Sequence, residues 1–345
     1  MTVNEDKLLI CGPCAAESRE QLINIAQLLK SQNINCSFRA GIWKPRTTPG
    51  NFEGLGEIAI KWMCEVRDLY GFEIGWEVAT EEHINISLKY KPDFLWIGAR
   101  TTVNPFMMEK IAKSLEGSDV NIFVKNPSNS DFALWCGAIE RLSKYKVNVI
   151  GVIHRGFSSN NLADYRTAPM WSIPIKLKNK YPNLLLIGDP SHMGGHDFLI
   201  KEISQKMMNL NYDGLMIEVH DNPEMAWTDV QQQITPNTLK EIINDLDVPS
   251  IKTDNGLTEY RLQIDEIDDE ILALIKRRFG ITKLIGEWKK KNNVSVFQRD
   301  RYNEILKKNE IRSKRYDLNI EIINSLFNLI HEKSVEQQLN NNQQI

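Results

Sequence analysis

Eight short apolar runs rich in Ile, Val and Phe recur through the first two-thirds of the chain. They begin at Leu8 (LLIC), Cys36 (CSFRA), Phe72 (FEIGWEV), Phe94 (FLWIGA), Asn121 (NIFVK), Asn148 (NVIGVIH), Leu184 (LLLIGD) and Gly214 (GLMIEVH). Between and after them lie stretches with apolar residues three and four apart, such as QLINIAQLLKS, EIAIKWMCEVRDLY, FALWCGAIERLSKY, FLIKEISQKMMNL and TLKEIINDL, the period of an amphipathic helix. Eight strand-helix units in about 245 residues have the size and order of a (β/α)8 TIM barrel closed by parallel strands. A doubly wound open sheet is the alternative α/β architecture.

The pattern changes after Asp247. Pro249 and Gly256 in DVPSIKTDNG mark residues 249–257 as a linker between a barrel over 1–248 and a second domain over 258–345. From there strands vanish. Thr258 is a cap for a helix beginning at Glu259, with Ile264, Ile267, Ile271, Leu274 and Ile275 at helical spacing as far as Lys290. A helix of about 30 residues is roughly 45 Å long. Two shorter helices follow, over Arg299 to Arg312 and Leu318 to Leu339. Three helices in so short a segment cannot wrap a core of their own, so two copies are expected to pair into one bundle.

Composition excludes several classes. With 345 residues, 42% hydrophobic, 25% charged and a net charge of −3, the chain has no general attraction to nucleic acid or anionic membrane. No apolar stretch approaches the roughly 20 residues of a spanning helix, and the N-terminus lacks the features of a signal peptide. A cytoplasmic protein is expected. Five cysteines, an odd number, argue for reduced thiols rather than a disulfide framework.

In a barrel of this kind function sits on the loops after the C-terminal strand ends, and the unusual polar residues fall there. Cys14 follows strand one. Arg39, Lys44 and Arg46 follow strand two; Glu77 closes strand three, Arg100 follows strand four and Lys125 ends strand five. His154 and Arg155 end strand six, His192 follows strand seven, Glu218 and His220 close strand eight, and Asp229 lies beyond. A single one of these charges reads as a solvated side chain. Together, at successive strand ends, the cations call for an anionic ligand, because they repel one another unless phosphates or carboxylates bind between them. Cys14, His192, Glu218 and Asp229 offer mixed sulfur, nitrogen and oxygen donors. That mixture suits a borderline divalent ion such as Mn, Fe, Co or Zn better than Ca or Mg. The stretch CGPC from Cys11 to Cys14 also matches a dithiol redox sequence, but Cys11 belongs to the first strand and seven more units follow.

The series GPCAAES, FRAGIWKPRTTPG, WIGARTT, VKNP, HRGF, GDPSH and IEVH, in this order over nearly all of the first 235 residues, resembles the type I 3-deoxy-arabino-heptulosonate 7-phosphate (DAHP) synthases. The sibling synthases that make an eight-carbon keto-deoxy-octulosonate phosphate typically carry KANRS where this chain has KPRT at Lys44 to Thr47, which favours the four-carbon sugar phosphate. The resemblance implies condensation of phosphoenolpyruvate with erythrose 4-phosphate, and Cys14, His192, Glu218 and Asp229 as metal ligands, with manganese expected first. It implies that Arg39, Lys44, Arg100, Lys125 and Arg155 bind phosphoenolpyruvate, that Arg46 and Thr47 hold the sugar phosphate, and that Lys44 donates a proton to the new hydroxyl. The loop around Asp229 reads TDVQQQ where SDGxQ-like sequences are commoner.

The segments RLQIDEIDDEILALIKRR, QRDRYNEIL and IHEKSVEQQ, spanning Glu259 to Gln338, together resemble the all-helical chorismate mutases. The resemblance implies that Arg261, Arg278 and Arg301 bind substrate carboxylates, that Lys289 and Gln338 meet the ether oxygen, and that Ser334 supports the hydroxyl and carboxylate side. Gln298 and Tyr302 stand where the family has acidic residues. Along the first helix Lys289 is turned only about 20° from Arg278 while Arg261 is turned about 100° away, so Arg261 is better placed to serve a partner's pocket. Because strand one starts almost at the N-terminus, without the regulatory extension of many relatives, feedback on the barrel is expected from chorismate or prephenate at the helical domain. The alternative is a helical module that mainly regulates and dimerises.

Overall fold

The computed structural model describes residues 7–45, 48–158, 165–248 and 255–343. Two compact units divide the chain, Met1–Glu266 and Ile267–Ile345.

All eight apolar runs form strands: β1 (Leu8–Gly12), β2 (Ser37–Ala40), β3 (Ile74–Val78), β4 (Phe94–Ile97), β5 (Asn121–Lys125), β6 (Val149–His154), β7 (Leu185–Gly188) and β8 (Gly214–Glu218). They pair in parallel and in chain order, and β1 pairs with β8 to close the barrel. The open-sheet alternative is thereby excluded. Closure sets Gly12 beside Glu218. A Cβ on Gly12, whose φ is +145°, would stand 1.9 Å from the Arg39 carbonyl oxygen, so this approach of β1 to β2 requires glycine.

The helices of the first unit are α1 (Arg19–Ser31), α2 (Glu57–Tyr70), α3 (Glu81–Leu88), α4 (Ala99–Thr102), α5 (Pro105–Leu115), α6 (Phe132–Lys144), α7 (Ser172–Lys180), α8 (Pro190–Gly194), α9 (Ile200–Asn209) and α10 (Pro236–Asp245). Several start where a side chain takes up an otherwise unpaired backbone N–H: Ser18 before α1, Thr80 before α3, Asn104 before α5, Asp131 before α6, Asp189 before α8 and Thr235 before α10. The core, with Phe38, Trp76, Trp96, Phe123 and Trp135 fully buried, fills the barrel and the layer beneath the helices. No helix among the described residues is long and apolar enough to cross a membrane.

The C-terminal segment is three helices, α11 (Asn255–Lys291), α12 (Arg299–Tyr316) and α13 (Ile320–Gln343). The first begins before the expected Glu259, so Thr258 is inside the helix rather than its cap, and residues 255–257 of the expected linker are helical; 249–254 lie outside the described residues. Asn and Gly are tolerated in a helix's opening turn, and the nearest helix-breaking residue upstream is Pro249. α12 runs on to a left-handed Asp317 with φ 51°. Burial in the second unit is inverted. Its buried side chains among the described residues are Thr282, Asn309, Ser313, Ser334 and Gln338, all polar, while Ile267 (55%), Leu284 (63%) and Trp288 (60%) are exposed. Exposed Ile267, Ile271, Leu274, Ile281, Ile285 and Trp288 recur three or four residues apart along α11, save for one step of seven that spans Arg278, the seam of a coiled helix pair.

His154, one of the polar residues at the strand ends, is a core residue with no exposure. Its Nε2 bonds the Pro169 carbonyl at 2.7 Å and its Nδ1 meets the Tyr212 hydroxyl at 2.9 Å, which fixes a neutral ring with its proton on Nε2. Burial pushes its pKa down to about 3. The unfolded chain therefore binds one proton more than the folded one between about pH 6.5 and that value, so the stabilisation present above pH 6.5 is lost as pH falls. His154 should give the barrel a stability slope of about 1.4 kcal/mol per pH unit in that window. In denaturant titrations from pH 7 to pH 4, His154→Gln should be less stable at pH 7 and should lack that component of the slope.

Candidate active site

The strand ends place most of the polar residues singled out above around one mouth. Cys14 follows β1, Arg39 lies in β2 with Lys44 in the loop beyond, and Glu77 lies in β3. Arg100 is on α4, Lys125 ends β5, Arg155 follows β6, His192 is on α8, and Glu218 ends β8. Asp229 follows in a left-handed conformation with φ 51°. Arg46 and Thr47 lie outside the described residues.

At the centre, ligand atoms of Cys14, Glu218 and Asp229 all lie within 4.8 Å of one another. The Cys14 thiol donates to Asp229 Oδ2 at 3.1 Å, and His192 Nε2 is 3.5 Å from Glu218 Oε1. Cations surround this group. Lys44 Nζ is 2.7 Å from Cys14 Sγ, an Arg39 guanidinium nitrogen is 3.2 Å from Glu218 Oε1, and Arg166 is 3.0 Å from Asp229 Oδ1. Gln232 donates to Glu218 Oε2 at 2.6 Å and accepts from Arg166. Burial, then Glu218 and Asp229, push the Cys14 thiol up to about 12 against Lys44 and Arg39. For Glu218, burial pulls the other way, but His192, Arg39 and Lys44 outweigh it and hold the carboxyl below its ordinary range. Asp229 is likewise held down, burial being outweighed by His192, Arg166 and Lys44.

His192 is oriented from behind. Asp189 caps α8 through the His192 backbone N–H and takes the imidazole Nδ1 at 2.8 Å, while Lys125 holds the same carboxylate at 2.8 Å. With the proton on Nδ1, the Nε2 lone pair points towards a carboxylate, an arrangement that a cation among these groups would relieve. One thiol, one imidazole and two carboxylates, each tied by further hydrogen bonds, fit a borderline divalent metal.

Beside the cluster lies a hollow of about 160 Å³ whose lining includes Lys44, Arg100, Lys125, Arg155 and Arg166. Arg39 Nε is buried and has no hydrogen-bond partner among the described residues. Arg100 and Arg155 have no carboxylate within 4.0 Å among the described residues. Burial lowers the Arg155 pKa from its ordinary value, and the Trp96 ring lies under both Arg39 and Lys125, with centroid distances of 5.0 and 5.8 Å. Two guanidinium groups without a carboxylate, beside three further cations in a small space, suit a multiply charged anion.

Cys11 is buried within β1 and, like Cys14, is a free thiol. Burial raises its pKa well above the ordinary value, the opposite of what a reactive dithiol needs. Three residues that hold the site together escaped the sequence reading. Asp189 was visible as a cap, an Asp-Pro opening a helix. Arg166 comes from a loop far from any strand end and Gln232 looks like one of three glutamines, so neither carries a local signal.

In the second unit Arg278 donates to Ser334 Oγ at 2.6 Å, and Lys289 reaches the Val296 carbonyl at 2.7 Å. Gln338 is buried against Gly286, where a Cβ would stand 2.9 Å from its Cγ. Arg278 and Lys289 both bring positive charge to His331. The other two predicted residues are not drawn in: Arg301 pairs with Glu304 at 2.5 Å on the surface, and Arg261 is exposed and belongs to the first unit.

Residues 2–249 match the family described as DAHP synthetase I, and residues 260–339 match chorismate mutase type II. The phospho-2-dehydro-3-deoxyheptonate aldolase of Thermotoga maritima is 28% identical over 238 residues, covering 69% of this chain and 68% of that one. A 2-dehydro-3-deoxyphosphooctonate aldolase of Campylobacter jejuni is 25% identical over 264 residues, covering 69% and 94%. The crystal structure of the Thermotoga phospho-2-dehydro-3-deoxyheptonate aldolase (DAHP synthase) superposes with a TM-score of 0.62 at 27% identity, over 69% of this chain and 67% of that one. On these matches the chain belongs to the DAHP synthetase I family, an enzyme whose DAHP synthase barrel is followed by a chorismate mutase domain.

Proposed function

We propose that the chain performs two steps of the shikimate pathway in the cytoplasm. The barrel condenses phosphoenolpyruvate with erythrose 4-phosphate to DAHP and phosphate, and the helices rearrange chorismate to prephenate. The observation that carries the barrel reading is the Cys14, Glu218 and Asp229 cluster set against the cationic hollow. We set the division between the two activities at residues 249–257.

Cys14, His192, Glu218 and Asp229 would hold a divalent ion, manganese first, with iron, cobalt or zinc as alternatives. Bound there, it supplies Lewis acidity to the aldehyde oxygen of the sugar phosphate. The protein's own groups do the rest. Arg39, Lys44, Arg100, Lys125 and Arg155 take the carboxylate and phosphate of phosphoenolpyruvate, fixing its enol carbon to face the aldehyde, while Arg46 and Thr47 take the phosphate of the sugar. As the carbon-carbon bond forms, negative charge gathers on the former aldehyde oxygen, and Lys44 gives it a proton. Water then adds, with loss of a proton, at the phosphate-bearing carbon, left electron-poor by the bond formation. The adduct collapses to the ketone as its bond to the phosphate oxygen breaks, and phosphate leaves into the surrounding cations, which stabilise the developing charge. In the helical domain no nucleophile is needed: Arg261, Arg278 and Arg301 hold the two carboxylates of chorismate, Lys289 and Gln338 meet the ether oxygen as its bond breaks, and Ser334 supports the ring side. The exposed apolar seam of α11 favours pairing of two copies, with Arg261 serving the partner's site. Chorismate or prephenate bound to the helices would lower synthase activity through unequal affinity for two domain arrangements. A helical module devoted to regulation and dimerisation is the second reading, favoured by Gln298 and Tyr302 in place of acids.

Chelation should abolish condensation and added divalent ion should restore it, with mutase turnover unchanged; Cys14→Ala should cut condensation by about 100-fold or more. A chelated chain that still makes DAHP overturns the metal assignment. In sedimentation the chain should run as at least a dimer. Ile271→Asp combined with Leu274→Asp should shift it to monomer and remove most mutase activity, and a monomeric wild-type chain would refute the pairing. Removing residues 258–345 should leave condensation that no longer responds to chorismate or prephenate, and an unchanged response would exclude feedback through the helices.

A further inference from the structure

His331, on the third helix of the mutase domain, has no role in the reading above. It lies three residues before Ser334 and seven before Gln338, so the three project from one face of α13, within about 60° of each other. Its ring packs 4.9 Å from Tyr302 and 6.1 Å from Phe297, and its Nε2 is buried with no hydrogen-bond partner. A buried, unpaired imidazole nitrogen is costly unless something binds it. The Tyr302 phenol, which stands where the family has a glutamate, is turned away from this task because its hydroxyl bonds Asn328 Oδ1 at 2.9 Å.

The groups around His331 set what it can bind. Arg278 and Lys289 face it from α11, Tyr302 from α12, and Glu332 adjoins it on α13; burial, with the two cations, lowers its pKa from the ordinary value. The ring is neutral near pH 7, with one N–H and one lone pair. Carboxylates are already served by the neighbouring cations. A neutral ring matches instead a group that both donates and accepts, and the hydroxyl on the cyclohexadiene ring is such a group.

We propose that His331 contacts the ring hydroxyl of the mutase substrate and takes over the part that acidic side chains at Gln298 and Tyr302 would play. This rests on the mutase reading, so the test separates the two. The full chain would be assayed with chorismate and with the analogue lacking the ring hydroxyl, as wild type, His331→Phe and His331→Gln. Phenylalanine keeps the packing against Tyr302 and Phe297 without a hydrogen-bonding atom; glutamine keeps a donor and an acceptor. His331→Phe should lower kcat/KM for chorismate by about 10- to 100-fold. His331→Gln should recover most of that loss, and wild type and His331→Phe should turn over the analogue alike. Far-ultraviolet circular dichroism and sedimentation of the same preparations report that the helical domain is folded and assembled as in the wild type. Equal losses on both substrates, or wild-type turnover of chorismate by His331→Phe, overturns the proposal while leaving the mutase reading intact. A wild-type chain with no turnover of chorismate removes both.

Discussion

Glu218 and Asp229 are held within 4.8 Å of each other beside a buried thiol, and the chemistry of the barrel follows from how that crowding is neutralised. At an effective dielectric of about 20, two carboxylate charges so close repel by on the order of 3 kcal/mol. Arg39, Lys44, Arg166 and the amide of Gln232 oppose this directly, each within 3.2 Å of a cluster atom where a distance bears on it. The Cys14 thiol, pushed up to about 12, keeps its proton in this setting, since a third negative charge would add to the repulsion. The donor atoms of Cys14, Glu218 and Asp229 are therefore already gathered, with protein cations balancing the charge. Lys44 and Arg166 also line the neighbouring hollow, so one electrostatic arrangement suits both a divalent ion and a multiply charged anion.

Only a closed barrel produces that cluster. Cys14 follows the first strand and Glu218 ends the eighth; in an open sheet numbered in order they would stand seven strand spacings apart, about 33 Å. Pairing of β1 with β8 brings Gly12 alongside Glu218 instead. The glycine at that position lets the chain pass the Arg39 carbonyl, and Cys14 then enters the mouth with its backbone N–H on Gln233 and its carbonyl taking Lys44 and Arg39. Position and protonation of the thiol are thus consequences of topology.

This explains what could be read from the chain alone. The strands were legible because fully buried parallel strands must be short apolar runs, and the mouth because charged residues appear where those runs stop. His154 was misleading for the same reason: it ends β6 but turns into the core, where Tyr212 and Pro169 satisfy it, and a sequence cannot say which way the last residue of a strand faces. Arg166 and Gln232 were hidden because they arrive from loops whose path is set by tertiary contacts. The start of α11 was placed late for another reason, since Asn255 and Gly256 are as compatible with a first helical turn as with a linker.

The helical unit poses the opposite problem to the barrel. Many of its large apolar residues are exposed and its buried side chains among the described residues are polar, so hydrophobic burial within one copy cannot account for its stability. Arg278 falls at the seam position between Leu274 and Ile281, and its guanidinium bonds Ser334. A charge there weakens a simple helix pair, which makes sense if the interior is meant to receive a ligand rather than to be filled. Unpaired Nε2 of His331, Oε1 of Gln338 and both amide atoms of Asn309 lie in the same unit. Those groups have no partner among the described residues, and a ligand hydroxyl, which can both donate and accept, complements the imidazole nitrogen. Two copies would cover the apolar residues while leaving this polar interior open to such a ligand, so that assembly and binding answer different halves of one deficit in burial.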